Sequence, residues 1–295
     1  MNIESEKFDK LLNNARVYFS KSQFFEAKEI CNSMIKIQPN NPDALHLLGL
    51  IEFKLENGNK GLELINKAIN INLENPIFFL SKGTILKSFG KYSEAINNYD
   101  LAIEIKPDFK EAYFNRAITY YKISEMNKSY NDFCTLIKIN PKSSEAYFER
   151  GNLLSINNRD TDAILDYNNV ISLNPKNTLA YYRRANSFRR LKNFNEAIKD
   201  YDEVISQNPK MSEAYCGRGL TNIAITRFLK INKYNEALSD LEKSISINPN
   251  LLEAKAGLSF IMLRKGRNEE GLNFDKESNG LIRFNVTKGI DYING

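Results

Sequence analysis

The side chains that could carry acid–base, nucleophilic or metal chemistry are few and widely spaced in this 295-residue sequence. Its sole histidine, His46, has no cysteine nearby and no paired acids at a suitable spacing. The three cysteines, Cys31, Cys134 and Cys216, form neither a CxxC pair nor a metal-ligand spacing. No glycine-rich phosphate loop, HExxH sequence or nucleophile motif is present. We therefore predict no enzyme activity, no metal site and no cofactor.

Four arginines do recur at a regular interval, and each is followed by an aspartate at a second fixed position. The pairs are Arg116 with Asp132, Arg150 with Asp166, Arg184 with Asp200, and Arg218 with Asp240. The equivalent positions earlier in the chain carry neither the arginine nor the aspartate. Because the two residue types occur together or not at all, we predict an Arg–Asp ion pair in each case. Partly buried charges usually have partners, so a structural role is preferred to ligand binding.

The elements that hold these pairs can be read from the stretch Ala180–Pro209. Apolar residues stand at helical spacing in its first half, a polar break follows, and a second apolar stripe continues to the proline. This pattern is typical of two amphipathic helices joined by a short turn. It recurs every 34 residues, and the prolines that close successive copies are Pro107, Pro141, Pro175 and Pro209. Fixed self-similarity at this period predicts a solenoid of stacked helical hairpins.

The repeat resembles the tetratricopeptide repeat. Its aromatic and small positions are occupied by Tyr113, Tyr147, Tyr181 and Tyr215 and by Gly83, Ala117, Gly151, Ala185 and Gly219. In the second helix of the repeat, an alanine recurs at Ala27, Ala95, Ala163, Ala197 and Ala237. An aromatic position follows it, occupied by Tyr99, Phe133, Tyr167 and Tyr201. The chain departs from the family pattern in having no tryptophan, in Ser129 and Gly61 at the alanine position, and in Leu73 at the proline position. The resemblance implies an all-α fold, a right-handed superhelical solenoid of helix-turn-helix repeats.

The repeat boundaries divide the chain into four kinds of segment. After a polar lead-in at 1–7, seven repeats are expected at 8–41, 42–75, 76–109, 110–143, 144–177, 178–211 and 212–251, then a degenerate capping repeat at 252–281 and a tail at 282–295. The seventh repeat contains six extra residues, which are expected to lengthen its first helix or its turn. The second helices are expected to begin at capping residues, namely Ser93, Asn127, Thr161 and Asn195.

In the tetratricopeptide family the first helices line a concave groove that usually holds a peptide or helix of a partner. The resemblance places Phe114, Ile118, Tyr121, Phe148, Asn152, Tyr182, Asn186, Arg189 and Arg190 in this groove, with Cys216 and Leu220 from repeat seven. Aromatic rings beside amides suit an extended peptide, and Arg189 and Arg190 are expected to hold a carboxylate or phosphate of the partner. In the alternative, Phe114, Phe148 and Tyr182 pack on one another, and the arginines form a solvated basic face.

The composition points away from membranes and nucleic acid. The net charge of +5 is mild, and no segment approaches a membrane span. We expect no signal peptide, because the amino-terminal stretch is charged from the start and has no continuous apolar segment. An odd number of unpaired cysteines favours free thiols and a cytoplasmic location. An RNA-binding repeat protein is disfavoured because Glu111, Glu145 and Glu213 in the groove would repel a phosphate backbone.

We therefore predict a non-catalytic scaffold or adaptor whose partner is another protein, offering a peptide or helical segment with an acidic feature. No small-molecule substrate is expected. The alternative is a targeting or regulatory subunit that docks a separate enzyme, such as a transferase or an oxygenase. Self-assembly through the end repeats is a third possibility.

Overall fold

The computed structural model of the protein describes residues 3–278, 282–285 and 289–292. Its described part contains sixteen α-helices, which follow one another as eight hairpins, and one short pair of strands. The chain divides into two compact units, of which the first ends at Ser143 and the second begins at Ser144. Each unit is a row of helical hairpins.

The helices of the first unit are α1 (Ile3–Ser20), α2 (Phe24–Ile37), α3 (Pro42–Lys54), α4 (Gly58–Ile71), α5 (Pro76–Ser88), α6 (Tyr92–Ile105), α7 (Lys110–Lys122) and α8 (Met126–Ile139). Those of the second unit are α9 (Ser144–Ile156), α10 (Asp160–Leu173), α11 (Thr178–Arg190), α12 (Phe194–Gln207), α13 (Ser212–Leu229), α14 (Tyr234–Ile247), α15 (Leu252–Arg264) and α16 (Asn268–Glu277). Odd numbers mark first helices of hairpins and even numbers mark second helices. Within the expected tail, β1 (Ile282–Asn285) pairs antiparallel with β2 (Gly289–Tyr292).

The core of the first unit lies where the two helices of each hairpin cross. Small residues such as Ala15, Ala27 and Ala68 are completely buried there. At the crossing of α3 and α4, a Cβ added to Gly61 would lie 2.7 Å from the carbonyl oxygen of Gly49. Since that is closer than van der Waals contact, only a residue without a Cβ allows the two backbones to approach this closely.

The core of the second unit also lies between packed helices. Tyr201 is completely buried and packs with Ala185 and Ala197 where α11 meets α12. A second cluster, which includes Leu241 and Leu258, joins α13, α14 and α15. Both clusters follow the apolar stripes of the sequence, which places the core between helices.

The predicted capping residues lie inside their helices, and this prediction was wrong. Helix α6 begins at Tyr92, so Ser93 is its second residue, and the N-cap position is occupied by Lys91 without a side-chain cap. The chain leaves α5 through Gly90, whose φ is +74°. The amide of Gly90 donates to the carbonyl of Lys87 at 3.1 Å, and that of Lys91 to Leu86 at 3.0 Å. This Schellman turn carries the chain directly into α6, so backbone geometry sets where the second helix begins.

The same turn position is occupied by residues other than glycine in several hairpins. Ser124 has φ +63° and Asn158 has φ +58°. A left-handed conformation costs about 1–2 kcal/mol for most L-residues, which glycine avoids at some cost in chain entropy. We predict that Ser124→Gly raises the free energy of unfolding by about 0.5–1 kcal/mol, as measured by urea denaturation. Asn158→Gly is the matched control and should give a smaller gain, because asparagine tolerates this conformation. Equal or opposite effects would contradict the explanation.

The six extra residues of repeat seven lengthen mainly its first helix. Helix α13 has 18 residues where α11 has 13. It ends at Leu229, the next residue Lys230 has a φ of +60°, and the turn before α14 is one residue longer than the turn before α12. The added helical turn therefore projects Arg227 and Phe228 beyond the length of the other first helices of this unit.

A buried acid links three helices of the first unit. Glu52 on α3 is completely buried, and its Oε1 lies 3.1 Å from Lys28 Nζ on α2 and 3.0 Å from Lys60 Nζ on α4. Its Oε2 accepts a hydrogen bond from Asn57 at 2.9 Å. Burial opposes ionisation of Glu52, but the hydrogen bonds from Lys60, Asn57 and Lys28 outweigh it and hold its pKa below the ordinary value.

We predict that the stabilising effect of Glu52 depends on pH. A lowered carboxyl pKa in the folded state stabilises the protein above the unfolded value of about 4.3, and this contribution is lost as the pH falls through the folded value. Glu52→Gln should therefore lower the free energy of unfolding by about 1–3 kcal/mol at neutral pH. In urea denaturation, the difference from wild type should shrink in acid. A difference that is constant or grows on acidification would contradict the ion-pair account.

Candidate functional site

The structure brings the two members of each Arg–Asp pair together with two parallel hydrogen bonds. Nε of the arginine and Oδ2 of the aspartate are 2.8 Å apart in the pairs of Arg116, Arg150 and Arg184, and 2.9 Å apart in that of Arg218. The corresponding Nη2–Oδ1 distances are 2.6 to 2.7 Å. All four aspartates, Asp132, Asp166, Asp200 and Asp240, are buried. Each pair joins the first and second helices of one hairpin.

In the pairs of Arg116, Arg184 and Arg218, a third residue accepts a hydrogen bond from the arginine, a contact that the sequence did not lead us to predict. Nη1 of the arginine also donates to a side chain on the second helix of the preceding hairpin. The acceptors are Asp100 for Arg116, Asn168 for Arg184 and Asp202 for Arg218, each at 2.5 Å. Each acceptor precedes its arginine by 16 residues, so the repeat spacing contained the signal. These arginines therefore connect successive hairpins as well as the two helices of one hairpin.

In the first unit, the predicted groove residues lie on α7. The ring of Phe114 packs edge-on against Phe133 of α8, with ring centroids 6.0 Å apart. Ile118 is half-buried, and Tyr121 is exposed. Nearby, Lys87 Nζ of α5 donates to Asn115 Oδ1 at 2.7 Å, and burial lowers the pKa of Lys87. This face therefore offers partly exposed rings beside an amine.

In the second unit, the predicted groove aromatics pack against tyrosines of their own hairpins. Phe148 lies 6.1 Å from Tyr167 and Tyr182 lies 6.3 Å from Tyr201, measured between ring centroids. The hydroxyl groups of these buried tyrosines donate to the predicted groove amides: Tyr167 to Asn152 at 3.0 Å, and Tyr201 to Asn186 at 2.7 Å. Each amide oxygen is thus already an acceptor within its hairpin, and the rings are fixed by the second helix.

A cavity of about 230 Å³ lies on the first-helix side of the second unit, between α11, α13 and the start of α15; we call it the groove cavity. It is lined by Tyr182, Asn186, Arg189, Arg190, Glu213, Cys216, Gly217, Leu220, Leu251 and Glu253. The structure thus brings together the residues predicted from repeats six and seven. Phe148 and Asn152 do not line this cavity.

Arg190 is engaged in an ion pair, which corrects the expectation that it is free to face a partner. Its Nε donates to Asp160 Oδ2 at 2.8 Å, its Nη2 contacts Asp160 Oδ1 at 2.5 Å, and it also bonds Ser155 and Ser187. The pKa of Asp160 is lowered: burial by itself would raise it, but the hydrogen bonds from Arg190, Ser187 and Ser155 outweigh burial. Arg190 therefore links α11 to α10, and Asp160 offsets its charge.

The histidine and the buried cysteines have pKa values far from those of catalytic groups. Burial, aided by the charge of Arg16, lowers the pKa of His46 to about 4, and its Nε2 lies 2.8 Å from Ser81 Oγ. Burial raises the pKa of Cys31 and of Cys216 to about 12. Both thiols are therefore protonated at neutral pH, and the histidine is uncharged.

Within the residues that the structure describes, no three histidine, cysteine or acidic side chains gather as a metal-ligand set. None of the described helices combines the length and the apolar character needed to cross a membrane.

Comparison with known proteins identifies the repeat. Family models described as "TPR repeat" and "Tetratricopeptide repeat" match residues 83–124, 144–177, 178–211 and 213–251. The TPR repeat-containing protein MJ1428 of Methanocaldococcus jannaschii is 31% identical over 111 residues, which cover 38% of this chain and 19% of that protein. The protein O-mannosyl-transferase TMTC1 of Mus musculus is 29% identical over 105 residues, 34% of this chain and 11% of the transferase. The chain thus spans less than a fifth of the length of these relatives.

Solved structures with the same fold cover much more of the chain. The C-terminal part of a TPR repeat-containing protein from Cytophaga hutchinsonii is similar with a TM-score of 0.68 and 18% identity, over 84% of this chain and 99% of that one. YrrB, described as a TPR protein with an unusual peptide-binding site, is similar with a TM-score of 0.57 and 21% identity, over 65% of this chain and 96% of that one. The helical hairpins, their recurring motif and the matched family models together show that this chain belongs to the tetratricopeptide repeat family.

Proposed function

We propose that this protein is a non-catalytic scaffold or adaptor that holds a segment of another protein against the first helices of its second unit. The observation that carries the proposal is the groove cavity, because three successive first helices contribute to it. Proteins with this fold broadly act as protein-interaction scaffolds, and the similar protein YrrB is described as having a peptide-binding site.

The chemistry of the groove cavity suits an extended segment with an apolar side chain. Tyr182, Leu220 and Leu251 supply apolar surface, and Asn186 supplies an amide at the wall. The second helix holds the ring of Tyr182 in place, so little conformational entropy is lost when a partner binds to it. Rigid aromatic surface with a few polar groups is typical of peptide-binding sites.

The charges around the groove cavity are mixed. Arg189 lines the cavity together with Glu213 and Glu253, and Asp160 already offsets Arg190. This cavity alone therefore does not select an acidic segment. The groove cavity is better suited to contact the backbone of the partner segment and to tolerate several kinds of side chain there. The cytoplasmic location expected from the free cysteines is part of the same proposal.

A second candidate is a subunit that docks a separate enzyme. The observation behind it is the similarity to an O-mannosyl-transferase, but that match covers 11% of the transferase. Transferase activity is a property of that protein. In this alternative the groove would bind a segment of an enzyme, so the same experiment reveals the partner's class.

Site-specific photo-cross-linking tests the proposal. The photoreactive residue benzoylphenylalanine would replace Glu213, which is exposed and lines the groove cavity. The matched control would carry it at Leu165, an exposed apolar residue on α10. After irradiation in extracts of the source cells, mass spectrometry should find one partner segment attached at position 213 and absent at position 165. Equal attachment at both positions, or at position 165 alone, would contradict binding in the groove.

A further inference from the structure

The lengthened helix of repeat seven builds a second cavity in the second unit. A cavity of about 210 Å³, which we call the insertion cavity, is lined by Arg189, Arg190, Lys192, Phe194, Leu220, Ile223, Ala224, Arg227 and Phe228. A first helix of 13 residues starting at Ser212, like α11, would end at Ala224. Arg227 and Phe228 therefore line this cavity only because of the extra helical turn, which makes the site particular to repeat seven.

The floor of the insertion cavity is apolar and fixed. The ring of Phe228 stacks on buried Phe194, with centroids 6.2 Å apart and an interplanar angle of 19°. Ile223 is buried beside them, yet half of Phe228 is exposed at 50%. Leu229 and Ile231 are also exposed just beyond it, at 53% each. An exposed apolar patch of this kind is typical of a surface that contacts another molecule.

The rim of the insertion cavity is basic. Four of its lining residues are cationic, and no carboxylate of the described chain is among the lining residues. Lys192 Nζ lies 4.7 Å from the centroid of the Phe228 ring, and Arg227 Cζ lies 5.5 Å from it. Asp160 offsets the charge of Arg190, and Lys192 supplies a positive charge to the rim. The groove cavity, by contrast, is lined by two glutamates.

The size of the insertion cavity limits its ligand. Small-molecule sites usually enclose about 300–1,000 Å³, so a cavity of about 210 Å³ is better suited to one bulky side chain. The two cavities share Arg189, Arg190 and Leu220 as lining residues, so they are adjacent. One extended segment can therefore contact both.

We infer that the insertion cavity selects the partner: it takes a large apolar side chain flanked by aspartate or glutamate. The apolar anchor packs on Phe228 and Phe194, and a flanking carboxylate meets Lys192 at the rim. This inference rests on the proposed function, because the segment that it describes is the one held in the groove cavity. The acidic feature of the partner would therefore contact the insertion cavity of repeat seven, and not the groove cavity as the sequence suggested.

Selection from a library of random peptides tests the inference without a known partner. Peptides displayed on phage and long enough to span both cavities would be selected on the wild-type protein. The enriched peptides would then be titrated against Phe228→Ser/Lys192→Glu. Phe25→Ser/Lys210→Glu is the matched control, since it makes the same chemical changes at exposed residues outside both cavities. Circular dichroism would show whether both variants keep the wild-type helix content.

We expect the enriched peptides to share an apolar residue between acidic ones, and to bind the Phe228→Ser/Lys192→Glu variant at least about tenfold more weakly. The control variant should bind them like the wild type. Enriched peptides that lack acidic residues, or that bind both variants equally, would overturn the inference and leave the groove proposal standing. Failure to enrich any peptide, or Lys192-dependent binding of single-stranded RNA in place of peptides, would contradict both.

Discussion

Replacing Arg184 with alanine is expected to lower the free energy of unfolding by about 3–5 kcal/mol. The side chain of Arg184 is 19% exposed and that of its partner Asp200 is 7% exposed. Without the arginine, the carboxylate of Asp200 would remain buried with no counter-charge, and the bond to Asn168 on the preceding hairpin would also be lost. Urea denaturation followed by far-ultraviolet circular dichroism measures the loss.

A double-mutant cycle separates the ion pair from its surroundings. Asp200→Ala should also be strongly destabilising, and the double variant should lose clearly less than the sum of the two single losses. Lys199→Ala is the control, since Lys199 forms an exposed pair with Glu196 on the same helix. Its effect should be within about 0.5 kcal/mol. Additive losses for Arg184 and Asp200 would show that the two side chains do not stabilise the fold as a pair.

Replacing Tyr201 with alanine is expected to cost about 3–5 kcal/mol, because the change empties a site where the side chain is completely buried. A Cβ added to Gly217 would lie only 2.5 Å from the Tyr201 ring, which shows how closely α13 packs on it. The ring also supports Tyr182, and Gly217 lines the groove cavity. The variant should therefore lose both stability and the shape of the groove.

Tyr201→Phe separates the contribution of packing to the free energy of unfolding from that of hydrogen bonding at this position. It keeps the ring and removes only the hydroxyl that donates to Asn186 at 2.7 Å. Since Asn186 is half-buried and can reach water, we expect a loss of about 0.5–1.5 kcal/mol in the same urea denaturation. A phenylalanine variant as unstable as the alanine variant would show that the hydrogen bond, and not packing, dominates.

The repeat pattern predicted the class of fold because tetratricopeptide packing depends on local periodicity. Positions such as Ala185 and Ala197 are small because two helices cross there, and that requirement repeats with every hairpin. The Arg–Asp pairs could be predicted for a related reason, since Arg184 and Asp200 occur together within single repeats. The contact from Arg184 to Asn168 was missed because the sequence comparison treated each hairpin by itself.

Other features of the site depend on three-dimensional details that residue types do not reveal. Asn186 looks like a groove amide in the sequence, but its oxygen accepts from buried Tyr201. Arg190 looks free in the sequence, but it pairs with Asp160, the first residue of α10 on the preceding hairpin. The described second helices of the other repeats do not begin with an acidic residue, so the repeat pattern did not reveal this pair. The helix starts were misplaced because a Schellman turn sets the start of α6 at Tyr92 by backbone geometry and needs no capping side chain.

Under the proposed function, the two neighbouring cavities of the second unit have different tasks. The groove cavity offers fixed aromatic surface with mixed charge, which suits affinity for many extended segments. The insertion cavity offers an apolar pocket with a basic rim, which suits discrimination among them. The regular repeats would thus bind extended segments in general, and the irregular seventh repeat would determine which segments bind tightly.

The central claim is that a partner segment binds on the first-helix face of the second unit. The most direct test is the affinity of the cross-linked partner segment, made as a labelled peptide, for Tyr182→Ala and for Leu165→Ala by fluorescence anisotropy. The two variants remove one groove side chain and one exposed side chain of α10. We predict that Tyr182→Ala weakens binding by at least about tenfold, or about 1.4 kcal/mol, and that Leu165→Ala leaves it unchanged. Unchanged binding to Tyr182→Ala, with weaker binding to Leu165→Ala, would place the partner on the second helices and contradict the account.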